Sequence, residues 1–121
     1  MLSTNAPRVT FKQIIGAYKQ IIARAHAAKL KIYGCTLTPF EGTTFAGYFA
    51  PDKEEVRQAV NSWIRNSGQF DAVIDFDKAI RDPSHPTRML PAYDSGDHLH
   101  PNDLGYLVMA NSVPLSLFTE E

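Results

Sequence analysis

The sequence has little cysteine and no extended apolar run. One thiol, Cys35, cannot form a disulfide within the chain, so a disulfide framework is excluded. Cys35 lies in the apolar segment L-K-I-Y-G-C-T-L, and we predict a small buried thiol there rather than a reactive one. No stretch reaches the roughly 18 apolar residues needed to cross a bilayer, which argues against a membrane partner.

The charges are nearly balanced. Twelve Lys and Arg against thirteen Asp and Glu give a net charge of -1, with no basic run to follow a phosphate backbone, so nucleic acid is not an expected partner. The first residues, M-L-S-T-N-A-P-R-V-T, contain no apolar signal-peptide core. We expect a soluble, cytoplasmic chain as given, although a longer parent protein could be secreted. A length of 121 residues with 44% apolar content predicts one domain.

Apolar spacing predicts three helices and two strands. The first helix runs from Thr10 to about Ala28. A second begins at Pro51-Asp52 and ends near Gly68, with Val56, Val60, Trp63 and Ile64 as its buried stripe. The last helix begins near Pro101 or Asn102 and ends at V-P, residues 113–114, with an apolar face of Leu104, Leu107 and Val108.

The two predicted strands, residues 30–37 and 70–76, are almost wholly apolar, as in a parallel sheet covered on both faces. Residues 39–49 are predicted to form a loop with aromatic anchors. Residues 77–91 are predicted to form a short helical turn and then an extended loop, because they contain three prolines. Two buried strands leave unpaired edges and are marginal alone, so a partner is expected to complete the sheet.

The chemistry is concentrated in D-S-G-D-H-L-H-P-N-D-L-G-Y, residues 94–106. A carboxylate that holds one ring N–H of an imidazole leaves the other nitrogen free to act as a general base. Asp97 and His100, three residues apart before a helix, can form such a pair, although a capped turn with a solvated histidine is also compatible with this spacing.

Two other interpretations of this segment, a metal site and a self-contained serine site, fit the sequence less well. His98 and His100 with a nearby aspartate are too few ligands for the usual zinc site, so no metal is expected. Ser95 is close to both groups in sequence, but no G-x-S-x-G turn surrounds it and a short loop rarely gives the geometry of a self-contained serine site.

The same segment resembles the last block of the SGNH, or GDSL-type, esterases and lipases, whose D-x-x-H-P-N-x-x-G-Y signature carries the catalytic Asp and His. Residues 18–40, 57–65 and 70–77 resemble the preceding segments of that family, so the resemblance covers nearly the whole chain. It implies the C-terminal half of a three-layer α/β/α, flavodoxin-like fold with a parallel sheet. It also implies catalytic roles for His100 as general base and acid and for Asp97 as the group that orients it, without a cofactor.

The family's G-D-S block with the nucleophilic serine, its glycine block and its G-x-N-D block have no counterpart here. Residues 1–121 are therefore expected to form a partial SGNH hydrolase domain that lacks the nucleophile and oxyanion donors. We expect one of two states. Either a complementary N-terminal half completes a site for a small-molecule ester, or the chain is catalytically silent and folds as a homo-oligomer.

Overall fold

The computed structural model describes residues 8–119, and its first helix, α1, spans Phe11–Ala27. Thr10 caps the helix. Its hydroxyl accepts from the Gln13 N–H at 3.1 Å, and the Gln13 side chain accepts from the Thr10 N–H at 2.9 Å. These reciprocal bonds satisfy backbone donors that the first turn leaves unpaired. The predicted helix is confirmed to within one residue at each end.

The second helix, α2, spans Pro51–Asn66 and packs against α1. Val60 and Ile64 are buried and form a core cluster with Ile14 of α1. Val56 and Trp63 are half-buried against the same cluster, as members of the predicted stripe. The buried face also carries three polar side chains that the apolar pattern did not predict: Lys53, Arg57 and Asn61.

Strands β1 (Tyr33–Cys35) and β2 (Ala72–Ile74) pair in parallel, with Gly34 opposite Val73. Both are shorter than predicted, but the predicted parallel α/β arrangement is confirmed. The prediction that Cys35 is buried is wrong, because its side chain is exposed. Within residues 8–119, β1 pairs only with β2, so Cys35 lies on a strand whose second edge has no neighbour.

The short helical turn predicted at the start of residues 77–91 is confirmed, but the extended loop predicted after it is wrong. Helix α3 spans Phe76–Ile80, and it is followed by an antiparallel hairpin of β3 (Arg81–Asp82) and β4 (His85–Met89). The prolines that suggested a loop are accommodated because the pairing is short and has a register shift between Arg81 and Asp82.

Helix α4 spans Asp103–Asn111, between a 3₁₀ turn at Pro91–Tyr93 and another at Leu115–Phe118. The predicted start is confirmed, since Asn102 caps the helix. The predicted apolar face is not covered: Leu104 and Leu107 are 49% and 56% exposed. None of the helices in the described part of the chain combines the length and hydropathy that bilayer crossing requires.

Candidate active site

The polar segment of residues 94–101 forms a closed loop between the first 3₁₀ turn and α4. Asp94 and Pro101 form an isolated antiparallel bridge, and the Ser95 N–H donates to the His100 carbonyl at 3.1 Å. Below it, the Asn102 N–H donates to the Tyr93 carbonyl at 2.7 Å. The loop is therefore tied at its base, and its side chains project from a defined backbone.

Asn102 joins this loop to α4. Its side-chain oxygen accepts from the Gly105 N–H at 2.8 Å, while its amide nitrogen donates to the carbonyls of Ala92 at 2.9 Å and Asp94 at 3.2 Å. Gly105 has no room for a side chain, since a Cβ there would lie 2.6 Å from the Tyr93 carbonyl oxygen. The helix can therefore approach the base of the loop closely.

Asp97 and His100 are brought together by this turn. The His100 Nδ1 lies 2.6 Å from Asp97 Oδ2, while the imidazole is 58% exposed. Its Nε2 has no hydrogen-bond partner within residues 8–119. With Nδ1 held by the carboxylate, Nε2 is the nitrogen that is available to exchange a proton with a bound molecule.

Asp97 is held as an anion by donors from its own turn. The backbone N–H and the imidazole of His100 lower the pKa of Asp97 far below its usual range, and the Leu99 N–H and Ser95 hydroxyl act in the same direction. Asp97 Oδ1 accepts from the His100 N–H at 2.8 Å, from the Leu99 N–H at 2.9 Å and from the Ser95 hydroxyl at 3.1 Å. A carboxylate fixed in this way keeps both its charge and its orientation.

The Ser95 hydroxyl is committed to Asp97 rather than to an imidazole nitrogen. A serine nucleophile needs a general base within hydrogen-bond reach of its oxygen. This local geometry therefore does not assemble a serine–histidine pair from residues of the loop.

A second histidine–carboxylate pair lies in the same loop. His98 Nδ1 is 2.6 Å from Asp94 Oδ2, and Asp94 Oδ1 accepts from the backbone N–H groups of Gly96 at 2.8 Å and His98 at 3.1 Å. His98 has φ 57°, a left-handed conformation, and Gly96 has φ 114°. The two histidines thus have different carboxylate partners, and residues 8–119 contain no group of three His, Cys, Asp or Glu side chains placed to hold a metal.

The predicted loop of residues 39–49 lies beside His100. The Thr44 N–H donates to the Asp97 carbonyl at 3.0 Å, and the Phe45 ring meets the His100 ring edge-on, with centroids 6.3 Å apart. This loop follows β1, so the end of that strand is connected to the paired Asp97 and His100 through a backbone hydrogen bond.

A partly buried set of polar and charged groups, here called the arginine–aspartate network, holds the carboxyl ends of both strands. Its members are Thr36, Glu54, Arg57, Arg65, Asp75, Asp77 and Arg81. In open α/β sheets the reaction crevice lies outside these strand ends. The network therefore supports the side of the sheet from which the candidate site is built.

Arg57 is the centre of the network and is fully buried. Its guanidinium donates to both Glu54 oxygens at 2.9 Å, to Asp77 Oδ1 at 2.7 Å and to the Leu37 carbonyl at 2.9 Å. Asn61 adds a donor to the Leu37 carbonyl and an acceptor for the Leu37 N–H. The backbone just after β1 is thus paired with side chains of α2.

Arg65, also on α2, pairs with the carboxylates that follow β2. It donates to both oxygens of Asp75, at 2.8 and 2.9 Å, and to Asp77 Oδ2 at 2.7 Å. Burial alone would raise the pKa of Asp75, but hydrogen bonds from Arg65 and Thr36 outweigh it and lower that pKa to about 2.

Sequence reasoning missed this network because it assigned only apolar residues to the buried face of α2. A signal was present: Arg57, Asn61 and Arg65 recur every four residues beside the apolar stripe, opposite the carboxylates of D-F-D at residues 75–77. Charged residues at helical spacing next to an apolar stripe indicate a buried ion-pair face when a strand ends in carboxylates.

Comparisons with known proteins agree with the fold. Residues 2–108 match the sequence model of the GDSL-like Lipase/Acylhydrolase family. No curated protein matches the chain significantly.

Two solved structures from Bacteroides are similar in fold. A GDSL-like lipase from Bacteroides thetaiotaomicron VPI-5482 has a TM-score of 0.78 and 15% identity, over 97% of this chain and 57% of that one. A protein described as an acylhydrolase from Bacteroides fragilis NCTC 9343 has a TM-score of 0.74 and 20% identity, over 95% of this chain and 55% of that one. The chain thus spans little more than half the length of these structures.

Proposed function

The chain belongs to the GDSL-like Lipase/Acylhydrolase family, and from this premise we propose that residues 94–101 supply the acid–base pair of an ester hydrolase. His100 is the general base and acid, and Asp97 orients it. The observation that carries the proposal is the 2.6 Å contact between His100 Nδ1 and Asp97 Oδ2, which leaves Nε2 without a hydrogen-bond partner among residues 8–119.

The proposed reaction is acyl transfer in two steps. His100 Nε2 takes the proton of a hydroxyl as its oxygen forms a bond to the ester carbonyl carbon, and then gives that proton to the departing alkoxide. Water repeats the sequence on the acyl intermediate and releases the acid. Asp97 stabilises the imidazolium in both steps and remains a carboxylate, in keeping with its lowered pKa.

We propose that the nucleophilic hydroxyl and the oxyanion donors come from polypeptide outside these 121 residues. The sequence contains no G-D-S or G-x-S-x-G segment, and the Ser95 hydroxyl is bonded to Asp97. A complementary N-terminal half is the natural source. It would also supply strands for the second edge of β1, which has no neighbour within residues 8–119.

A second candidate is a catalytically silent chain that associates with copies of itself. It is favoured by large apolar side chains that remain exposed on α4 and the turn after it: Leu104, Tyr106, Leu107, Leu115 and Phe118. Exposed apolar surface and an unpaired strand edge favour assembly. Light scattering distinguishes the two candidates, since a stable monomer over a wide concentration range argues against self-association.

The catalytic proposal is tested with p-nitrophenyl acetate and the purified chain. We expect weak hydrolysis, because each missing oxyanion donor typically contributes about 100-fold to 1000-fold to the rate. His100→Ala should abolish this hydrolysis and Asp97→Asn should reduce it, whereas His26→Ala changes an exposed histidine of α1 and should leave it intact. Hydrolysis that is equal in His100→Ala and the parent chain removes His100 from the role.

The source of the nucleophile is tested separately. A serine-reactive fluorophosphonate should form no adduct within these residues, and peptide mapping by mass spectrometry detects any that forms. An adduct on Ser95 would contradict the proposal that the nucleophile lies elsewhere.

A further inference from the structure

A cleft of about 370 Å³ lies between the β3–β4 hairpin and the loop of residues 94–101. Six polar side chains line it: Glu41, Asp82, His85, Arg88, Asp94 and His98. Its volume is within the range of pockets that bind small molecules. The paired Asp97 and His100 are not part of its lining, although His98 is only two residues from His100 in the same loop.

Two carboxylates of the cleft are fixed by groups that also line or border it. Glu41 accepts from Arg88 Nε at 2.6 Å, from the Thr87 hydroxyl at 2.8 Å and from His85 Nε2 at 3.0 Å. The hydrogen bond from Arg88 is the main reason that the pKa of Glu41 is below its usual range. Burial would raise the pKa of Asp94, but the Gly96 N–H and His98 outweigh it. Both carboxyl groups are therefore anionic acceptors at neutral pH.

Donors remain available in the same cleft. Arg88 uses only Nε, so Nη1 and Nη2 have no hydrogen-bond partner within residues 8–119. In the same range, His98 Nε2 and His85 Nδ1 are also without partners, and each is an acceptor when its ring is neutral and its other nitrogen donates to a carboxylate. A bound molecule thus meets carboxylate and imidazole acceptors together with the unused N–H groups of Arg88.

The charges select against an anionic ligand. Three carboxylates against one guanidinium give the lining a formal charge of -2 with neutral imidazoles. A purely apolar ligand is also unsuitable, because it would remove Arg88 and the carboxylates from water without replacing their hydrogen bonds. A hydroxyl group both donates and accepts, so a neutral molecule with several hydroxyls satisfies both kinds of group.

Apolar atoms make up the larger part of the cleft surface. Met89 and Pro91 belong to its lining and offer a surface without hydrogen-bonding side chains. A sugar ring has this dual character, since its C–H groups form apolar patches and its hydroxyls project at the edge.

We propose that this cleft binds a neutral, hydroxyl-rich ring such as a sugar, and that it holds the alcohol part of the ester next to His100. The second statement rests on the proposed function, whereas the first does not. The substrate class would then be an acylated carbohydrate, whose acyl-bearing oxygen extends from the cleft toward the imidazole.

Binding is tested without turnover, by ¹H–¹⁵N NMR titration of the chain with cellobiose. We expect cellobiose to shift the resonances of Glu41, Arg88 and His98, with no comparable effect from citrate or cyclohexanol. Arg88→Met should weaken the binding by about tenfold or more, because it removes charged donors. Arg24→Met, on the exposed face of α1, is the matched control and should bind as the parent does.

Two further variants separate loss of cellobiose binding from misfolding and from loss of hydrolysis. His98→Ala removes a different hydrogen-bonding group of the cleft, and it should also weaken cellobiose binding, which keeps the test usable if Arg88→Met fails to fold. His100→Ala should bind cellobiose like the parent, so loss of hydrolysis and loss of binding can be recognised independently. Absence of cellobiose shifts, stronger shifts with citrate or cyclohexanol, or equal binding by Arg88→Met and the parent would overturn the proposal.

Discussion

The buried guanidinium of Arg57 provides the sharpest test of how the strand ends are held. Arg57→Met keeps an unbranched apolar stem but removes the guanidinium and its hydrogen bonds to Glu54, Asp77 and the Leu37 carbonyl. The Asp77 side chain is only 2% exposed, so one of its oxygens loses its partner without gaining water. Breaking a buried pair by removing one partner costs about 3–5 kcal/mol of folding free energy.

This cost predicts a measurable change in urea denaturation. With a slope of about 2 kcal/mol per M, typical for a small domain, the unfolding midpoint should fall by roughly 1.5–2.5 M. Fluorescence of Trp63 is a direct probe, because its ring packs against Tyr18 and Phe70 with centroids 6.3 and 5.9 Å apart.

Arg8→Met is the matched control for Arg57→Met. Arg8 forms a 2.8 Å ion pair with Asp52, but the two side chains are 53% and 56% exposed, and exposed pairs contribute about 0–1 kcal/mol. Its midpoint should therefore fall by no more than about 0.5 M. Arg57→Lys, which keeps the charge with fewer donors, should lie between the two Met variants. Equal midpoints for Arg8→Met and Arg57→Met would refute the reasoning.

Two other predictions concern stability. Because the pKa of Asp75 is lowered to about 2 in the folded chain, its ion pair with Arg65 contributes stability above the ordinary aspartate pKa, near 4, and this contribution is lost as pH falls toward 2. Asp75→Asn should therefore flatten that part of the curve of urea midpoint against pH. A curve identical to that of the parent chain would contradict this prediction. Gly34→Ala places a Cβ 2.4 Å from the Phe70 ring and should destabilise the fold by about 1–3 kcal/mol in thermal unfolding. Gly16→Ala enters open space in α1 and should stabilise the fold by about 0.5–1 kcal/mol. A Gly34→Ala chain as stable as the parent would count against the close packing of Phe70 on Gly34.

Local patterns were sufficient for several elements. The apolar spacing after Thr10 predicted α1, and continuous apolar runs predicted the two parallel strands. The pairing of Asp97 with His100 could be predicted for the same reason, since both residues belong to one tight turn. Interactions over a few residues depend mainly on the adjacent sequence.

Features that depend on residues distant in the sequence could not be predicted from local patterns. The β3–β4 hairpin was predicted as loop because proline frequency hides a short, irregular pairing. Cys35 was predicted as buried because an apolar run says nothing about which sheet edge has a neighbour. Leu104 and Leu107 show the same limit, since helical periodicity identifies an apolar face but not what covers it.

The sequence by itself determined the helices α1 and α2, the parallel strand type and the local Asp97–His100 turn, because each arises from backbone preferences and contacts within one segment. Only the tertiary structure decided that Arg57 is buried, that the Thr44 backbone contacts Asp97, and that Arg88 and His98 share a cleft. These features join residues that are far apart in the chain. Their free energies depend on which groups lose water together when the chain folds, and this is a property of the packed molecule rather than of any one segment.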